Sequence, residues 1–259
     1  MGTRPGGSAA VGNCPGAPSI SQMGRADLHI HSNYSDGSAG VEAILRQAAR
    51  LGLDAIAITD HNEIQGALAA EELSRTLGLG VRVIVGEEIS TSDGHVIGLF
   101  LRQKIRPLLS AEATIEEIRR RGGLAVAPHP FSLWLKIFGC GGVGRKIEWL
   151  QFSAVETVNG SPMEVMANCY AAWFNRKFTR LAELGGSDAH TVEAVGQAYT
   201  VYPGRGLEML RQAIYHKATR AKKAGGRLGA AACFLRDHLM GKLDLYGEKG
   251  GYVKQASPT

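Results

Sequence analysis

Short apolar runs alternate along this chain with longer segments of helical periodicity, beginning at about Arg25. This alternation is typical of an α/β fold built on a parallel sheet, because each helix returns the chain to begin the next strand in the same direction. The apolar runs predict seven strands: Ala26–Ile30, Ala55–Thr59, Val81–Gly86, His95–Phe100, Leu124–Ala127, Ala154–Val158 and Leu184–Ser187. The segments between them predict five helices: Gly40–Leu51, Glu63–Leu77, Ala111–Arg121, Pro162–Glu183 and Gly204–His216.

This order favours one closed or nearly closed barrel. A doubly wound sheet would more often show a phosphate-binding glycine turn after its first strand, whereas here the first strand ends in histidines. The prediction is a distorted seven-stranded TIM-like barrel over residues 25–216. Residues 1–24 are predicted to be a flexible tail, since 8 of the first 20 are Gly or Pro. Residues 217–259 are predicted to add a basic helix, at Leu228–Leu243, and a tail.

Histidines and carboxylates follow the predicted strands. Six of the eight histidines lie at or beside strand ends: His29, His31, His61, His95, His129 and His190. The carboxyl ends of parallel barrel strands converge on one face, so these side chains are expected to meet there. Burying them beside Asp36, Glu88 and Asp188 without a cation would cost several kcal/mol per group. The sequence therefore predicts a metal site, although a single histidine of this kind is more often structural.

Five segments resemble, in order, the motifs of the polymerase and histidinol phosphatase (PHP) domain family. They are DLHIHSNYSDG (Asp27–Gly37), ITDHNE (Ile58–Glu63), GEEIS (Gly86–Ser90), APHP (Ala127–Pro130) and GSDAH (Gly186–His190). The resemblance spans about residues 26–200 and implies a trinuclear site at the carboxyl ends of the strands.

Roles for individual residues are implied by this resemblance. His29, His31, Glu88 and Asp188 would hold one metal ion, and Glu88 would bridge to a second ion bound by His129. The third ion would be held by Asp36, His61 and His190. His95 is either a further ligand of the second ion or a cap of the turn Ser92-Asp93-Gly94. Asp27 and Asp60 are expected to orient the imidazoles. Nitrogen and oxygen ligands without thiolates suit two to three ions of Mn, Fe or Zn.

Three residues near the predicted barrel mouth are candidates for contacting a substrate phosphate: Arg145, Lys146 and Asn159. A turn-forming role for Asn159 is at least as well supported. The glycine run Gly139–Gly144 matches GxGxxG but has neither the strand–turn–helix setting nor the Lys-Ser/Thr of a nucleotide site. We expect the insertion Phe131–Lys146 to arch over the mouth instead. Arg119-Arg120-Arg121 ends a predicted helix, where cations complement the helix dipole.

The chemistry implied is hydrolysis of a small phosphate ester or nucleotide, with metal-bound hydroxide as the nucleophile. His190 or Asp36 would help to protonate the leaving group. Alternatives are an exonuclease acting on oligonucleotide ends, a sugar-phosphate or histidinol-phosphate phosphatase, and a non-catalytic metal-binding module. An amidohydrolase is disfavoured, because no strand ends in the bridging lysine that those enzymes usually need.

Charge and composition bear on the partners. Lys and Arg exceed Asp and Glu by 29 to 24, yet residues 205–259 alone carry 11 basic and 4 acidic side chains. The slightly acidic body disfavours long polyanions, whereas the basic end permits nucleic acid. No apolar run reaches the roughly 18 residues of a membrane span. The absence of a signal-like start and of paired cysteines predicts a cytoplasmic protein, and Met23 is a candidate for the true start.

Overall fold

The computed structural model of the protein describes residues 22–132 and 141–225. Within these residues, one sheet contains strands β1 (Met23–Ile30), β2 (Ala55–Ile58), β3 (Arg82–Thr91), β4 (Gly94–Leu99), β5 (Leu124–Ala127), β6 (Ala154–Asn159), β7 (Ala182–Gly186), β8 (Ala198–Pro203) and β9 (Arg220–Lys223). The helices described are α1 (Val41–Arg50), α2 (Gln65–Leu77), α3 (Ala111–Arg120), α4 (Val165–Phe174) and α5 (Leu207–Tyr215).

The strands are arranged in the order β7-β6-β5-β4-β3-β2-β1-β8-β9, and the sheet curls into a nearly closed barrel. The chain that follows β7 returns to the end of β1. There the Asp188 N–H donates to the His29 carbonyl at 2.8 Å, and the His31 N–H donates to the Ala189 carbonyl at 2.9 Å. These two bonds hold the first and last histidine motifs of the sequence side by side.

The sheet is mixed rather than parallel, which corrects the sequence prediction. β1, β2 and β3 are parallel, as are β5, β6 and β7, but β4 is antiparallel to both of its neighbours. Only Ser92 and Asp93 separate β3 from β4, which is far too short for a parallel crossover. β4 therefore begins at the end of the barrel where β3 ends.

Each of the seven predicted strands is present, but the described residues form nine. β8 has the alternating burial expected of a strand, with Ala198, Thr200 and Tyr202 inside. β9 reads Arg-Ala-Lys-Lys and is mostly exposed, so it lacks the apolar run by which strands are recognised. The prediction that residues 217–259 add only a basic helix and a tail is therefore wrong at Arg220–Lys223. The predicted helix at Leu228–Leu243 lies outside the described residues.

The fourth helix is shorter than predicted. α4 ends at Phe174 and continues as a π-helical turn to Thr179. The buried Asn175 side chain accepts the Leu181 N–H at 2.8 Å and donates to the Leu181 carbonyl at 3.1 Å. Arg180 has a φ of 49° at this point, and β7 begins at Ala182. A side chain that replaces the backbone partners of Leu181 thus ends the helix inside the predicted range Pro162–Glu183.

Two groups of buried apolar side chains support the barrel. One group lies between the sheet and helices α1, α2 and α3, and includes Ile44, Ile56 and Ile118. The other joins strand residues such as Leu28 and Ile97 to Leu210 and Ile214 of α5. The barrel is therefore fixed by apolar packing, and the polar groups at its carboxyl end are carried on a rigid frame.

Candidate metal centre

The nine side chains predicted as metal ligands lie together at the carboxyl end of the barrel. They form adjacent groups in which the candidate ligand atoms lie within 4.8 Å of one another. The groups contain His29, His31, Asp36, His61, Glu88, His95, His129, Asp188 and His190. Residues separated by up to about 160 positions meet here because they lie in the strand ends, or in the loops next to them, at this side of the barrel.

Four atoms form the innermost group. His29 Nε2 lies 3.1 Å from His31 Nε2 and 3.3 Å from Glu88 Oε2. Asp188 Oδ1 lies 3.4 Å from His29 Nε2 and 3.3 Å from His31 Nε2, and the remaining measured pair, His31 Nε2 to Glu88 Oε2, is also 3.3 Å. Each of these five separations brings two electron-pair donors close enough to bind the same cation.

The second oxygen of Glu88 faces two more imidazoles. His95 Nδ1 lies 2.9 Å from Glu88 Oε1, and His129 Nε2 lies 3.1 Å from the same oxygen. Because Glu88 is only 1% exposed, its carboxylate is enclosed by histidines on both sides. The structure thus brings His95 to Glu88, while the turn before it is held by Thr91 Oγ1, which accepts the Asp93 N–H.

The outer group is more accessible. Asp36 Oδ2 lies 3.2 Å from His190 Nε2 and 3.6 Å from His61 Nε2. The side chains of Asp36 and His190 are 52% and 41% exposed, respectively. The inner part of the centre is therefore buried, whereas its outer part, the rim, is open to solvent. A solute would arrive from the rim.

Buried opposite charges shift the titration of the inner groups. Burial lowers the pKa of His31, but hydrogen bonds to Asp188 and Glu88 outweigh it and raise that pKa to about 9. Burial raises the pKa of Glu88, but the neighbouring His29 charge and hydrogen bonds from three imidazoles hold it well below its usual range. Without a cation, the carboxylates are thus compensated by protonated histidines.

The backbone is strained at three positions around the centre. Asn62, His129 and Asp188 have φ values of 50°, 25° and 54°. Residues with side chains rarely adopt this region, and such conformations concentrate at functional sites. Asn62 is held by Ser90, whose N–H donates to Asn62 Oδ1 at 2.9 Å and whose hydroxyl accepts from Asn62 Nδ2 at 3.0 Å.

Among the described residues, Asp27 and Asp60 form their hydrogen bonds with backbone and hydroxyl groups, whereas the sequence prediction has them orient imidazoles. The pairing of β1 with β2 shifts register between Asp27 and Ile30. The Asp27 carboxylate accepts the N–H groups of Ser187 and Gly196, each at 2.8 Å. Asp60 accepts the N–H and hydroxyl of Ser32, each at 2.7 Å, together with the hydroxyl of Ser35. Both carboxylates therefore hold the loops that carry the candidate ligands.

A different carboxylate, missed in the sequence, contacts an imidazole of the centre. Glu156 Oε1 lies 3.1 Å from His29 Nδ1, and Glu156 is only 3% exposed. A charged residue inside the apolar run Ala154–Val158 was the available signal, because a buried strand position rarely carries Glu without a partner.

The three residues predicted to contact a phosphate lie in different environments. Asn159 is fully buried and donates to Glu156 and Asp188, and its own Oδ1 accepts the Ser161 N–H. This geometry gives Asn159 a turn-forming and bridging role rather than contact with solvent. The exposed Arg145 pairs with Glu148 at 2.9 Å, and Lys146 pairs with Asp93. Arg120 and Arg121 likewise pair with Glu117 at the end of α3.

Part of the predicted insertion over the mouth, residues 133–140, lies outside the described residues. Its flanks are close together, since the Gly144 N–H donates to the Pro130 carbonyl at 2.9 Å and the His95 N–H donates to the Gly141 carbonyl at 3.1 Å. A Cβ atom at Gly142 would lie 2.6 Å from the His129 carbonyl oxygen. This glycine therefore serves close packing against the His129 turn.

Across the two described ranges, no helix combines the length and apolarity needed to cross a membrane.

Comparisons with known proteins agree with this geometry. The PHP domain model matches residues 27–144, and the PHP-associated model matches residues 167–219. An uncharacterized protein of Methanocaldococcus jannaschii, MJ1587, is 39% identical over 155 residues, which cover 56% of this chain and 86% of that protein. The phosphoribosyl 1,2-cyclic phosphate 1,2-diphosphodiesterase of Eggerthella lenta is 43% identical over 79 residues, 28% of this chain and 29% of that enzyme.

A solved structure shares the fold. A two-domain protein of Bacteroides vulgatus, which contains a predicted PHP-like metal-dependent phosphoesterase, superposes with a TM-score of 0.62 at 21% identity. The similarity covers 88% of this chain and 75% of that chain. Together with the ordered motifs and the histidine-rich barrel end, these matches show that the chain belongs to the PHP domain family.

Proposed function

We propose that this protein is a metal-dependent phosphoesterase that hydrolyses a small phosphate ester or a nucleotide. The observation that carries the proposal is the position of Glu88, whose two carboxylate oxygens face separate groups of imidazoles. A carboxylate placed in this way can bridge two cations, and the outer group at Asp36 can hold a third.

The donor atoms present fit transition-metal ions. Two ligand atoms that bind one ion at a tetrahedral angle, with bonds of about 2.0–2.1 Å, lie roughly 3.3–3.4 Å apart. Five pairs among His29 Nε2, His31 Nε2, Glu88 Oε2 and Asp188 Oδ1 have separations of 3.1–3.4 Å. Imidazole and carboxylate without thiolate suit Mn, Fe or Zn. We therefore propose two to three such ions, with His95 and His129 serving the second position and Asp36, His61 and His190 the third.

Divalent ions held here would make water nucleophilic at neutral pH and polarise a phosphoryl oxygen. The protein's own contribution is to fix the ligands and to supply a proton at the rim. His190 Nε2 and Asp36 Oδ2 form the exposed pair, 3.2 Å apart, and are placed to protonate a departing alkoxide. Arg145 and Lys146 would have to leave Glu148 and Asp93 to contact a phosphate.

A turnover screen tests the proposal. Protein stripped of metal and reloaded with Mn²⁺ would be offered phosphomonoesters, nucleotides and cyclic phosphates, with release of phosphate or of the monoester as the readout. We expect turnover of at least one class that vanishes on chelation and in Glu88→Gln. A protein that binds metal yet hydrolyses none of these classes would support the non-catalytic module instead.

A nuclease acting on oligonucleotide ends is the second candidate. Exposed Arg220 and Lys222 on β9 favour it, because they give one side of the barrel a basic edge. The slightly acidic body of the chain favours small substrates. A phosphatase for sugar or histidinol phosphates falls within the first proposal and would appear in the same screen.

A further inference from the structure

Three N–H groups from different parts of the chain converge on the carboxylate of Glu156. His29 Nδ1 lies 3.1 Å from Oε1. The His129 N–H donates to Oε2 at 2.9 Å, and Asn159 Nδ2 donates to the same oxygen at 3.1 Å. Glu156 is buried, so all three hydrogen bonds form away from water. An ionised carboxylate accepts at both oxygens, which is what this arrangement requires.

The contact with His29 fixes which ring nitrogen is free. When Nδ1–H donates to Glu156, the lone pair of Nε2 points at His31 Nε2 and Glu88 Oε2 in the inner group. A metal-ligating histidine usually donates its other N–H to a carboxylate in this way, which fixes the tautomer and orients the ring.

The contact with His129 holds a strained turn. His129 has a φ of 25°, and its backbone N–H is held by Glu156 while its Nε2 faces Glu88. One carboxylate therefore supports His29 on the Oε2 side of Glu88 and His129 on the Oε1 side.

Asn159 extends the support to a third candidate ligand. Its Nδ2 donates to Glu156 Oε2 at 3.1 Å and to Asp188 Oδ2 at 3.0 Å. Its Oδ1 accepts the Ser161 N–H at 2.9 Å, so the amide cannot flip without losing this bond. The Asp188 backbone is also strained, with a φ of 54°.

We propose that Glu156 and Asn159 act as a positioning pair that sets the first two metal positions together, by fixing the His29 tautomer, the His129 turn and the Asp188 carboxylate. The proposal rests on the metal centre of the proposed function. It assigns neither residue to the metal or to the substrate, since their polar atoms are used within the protein.

Glu156→Gln tests the pair with almost no change in shape. An amide has one acceptor oxygen, so at least one of the three donors would face the NH₂ group. If that donor is His29 Nδ1–H, the His29 ring must change to the tautomer in which Nε2 carries the proton. The matched control is Glu164→Gln, a buried carboxylate that accepts from Ser132 Oγ at 2.6 Å and has no hydrogen bond or ion pair with the nine ligands in the part of the chain that the structure describes.

The first measurement is titration of metal-free protein with Zn²⁺ alone, in competition with a chromophoric chelator. We expect zinc affinity at the tightest positions to fall roughly 10–100-fold in Glu156→Gln, the usual cost of losing a partner behind a metal ligand. Glu164→Gln should titrate like the wild type. Equal zinc affinity in the wild type and Glu156→Gln would overturn the positioning pair while leaving the metal centre intact. A wild-type protein that binds no zinc would overturn both.

The second measurement separates positioning from general destabilisation. Long-range ¹⁵N–¹H spectra of the zinc-loaded protein, with His29 assigned from His29→Gln, should show His29 protonated at Nδ1 and not at Nε2. We expect Glu164→Gln to keep this signature. Glu156→Gln loses it when the new NH₂ group faces His29 Nδ1; when the amide oxygen stays there, the NH₂ group faces the His129 N–H and Asn159 Nδ2, and the fall in zinc affinity reports the change. If Glu156→Gln does not fold, Asn159→Ala replaces it, because it removes donors and creates no donor–donor contact. This variant should keep the His29 signature and lose zinc affinity several-fold; unchanged affinity would contradict the pair.

Discussion

His95 Nδ1 lies 2.9 Å from Glu88 Oε1, and both residues belong to the antiparallel pair β3–β4. In this register His95 lies opposite Ser90. The second residue of β4 therefore lies at the barrel end where the other candidate ligands lie in or after the last part of their strands. The reversal of a single strand thus adds an imidazole to the centre.

Replacing His95 with Ala is expected to remove one zinc ion per chain or to weaken it at least 10-fold, because Glu88 Oε1 would keep His129 as its only close imidazole among the described residues. Elemental analysis after loading checks this. His216→Ala, at the end of α5, is the control and should keep full metal content. Full loading of His95→Ala would assign His95 to the turn alone.

Glu88→Gln should be the most damaging carboxylate substitution, with a loss of activity of at least about 100-fold, because one amide cannot serve both groups of imidazoles. Glu87→Gln is the matched control. Burial raises the pKa of Glu87 to about 7, and its Oε2 accepts the Ile105 N–H at 2.8 Å. A neutral amide is therefore a close substitute there. Greater damage from Glu87→Gln than from Glu88→Gln would reverse the assignment.

Metal binding is expected to release protons. The pKa of His31 is about 9, so its ring is protonated at pH 7 in the metal-free protein, whereas a ligand nitrogen must be free. Calorimetric titrations with zinc at pH 7, in two buffers of different ionisation enthalpy, should give different binding enthalpies. The difference should correspond to the uptake of at least one released proton per chain by the buffer. Identical heats would show that the inner histidines are already neutral.

The raised pKa of His31 also predicts how the free energy of unfolding depends on pH. The folded pKa of His31 lies above its ordinary value of 6.5. Its stabilising contribution is therefore complete below about pH 6.5 and is lost as the pH rises through about 9. The free energy of unfolding of metal-free protein, measured in urea, should fall across this window. The free energy of unfolding of zinc-loaded protein should fall less, because its histidines are already unprotonated. Parallel pH curves for the metal-free and zinc-loaded protein would contradict this.

Deleting residues 1–22 should leave zinc binding and turnover intact, because β1 begins at Met23 and pairs with β8 from that residue onward. The variant loses the bond from the Gly204 N–H to the Gln22 carbonyl. Activity of the truncated and full-length chains on the same substrate is the measurement. A large loss would show that the deleted residues contribute to the site.

Substrate class can be decided by salt and truncation. If the insertion at Phe131–Lys146 restricts the mouth, kcat/KM should favour mononucleotides or dinucleotides over longer chains. The competing outcome is a preference for oligonucleotides that falls steeply with salt and depends on the basic end. Because β9 belongs to the sheet, the truncation should remove residues 226–259 and keep Arg220–Lys223. Salt-sensitive preference for oligonucleotides, lost on truncation, would favour the nuclease.

The sequence alone determined the positions of seven of the nine described strands and the nine residues that gather at the barrel end. This was possible because hydrophobic patterning is local, and because parallel strands bring the residues that follow them to one face. The local pattern was least informative at β9, where Arg220 and Lys222 face solvent, and at α4, where Asn175 ends a helix that the periodicity extends.

Only the tertiary structure decided which groups each buried carboxylate contacts. Asp27 and Asp60 precede histidines in the chain, yet they bind backbone and hydroxyl groups of loops. Glu156, which is 127 residues from His29, supplies the contact with its ring. Spacing along a strand predicts the face of the sheet from which a side chain projects. Its hydrogen-bond partners depend on how strands from distant parts of the chain come together. The register shift in β1 arises from that assembly, whereas the reversal of β4 follows from its two-residue connection to β3.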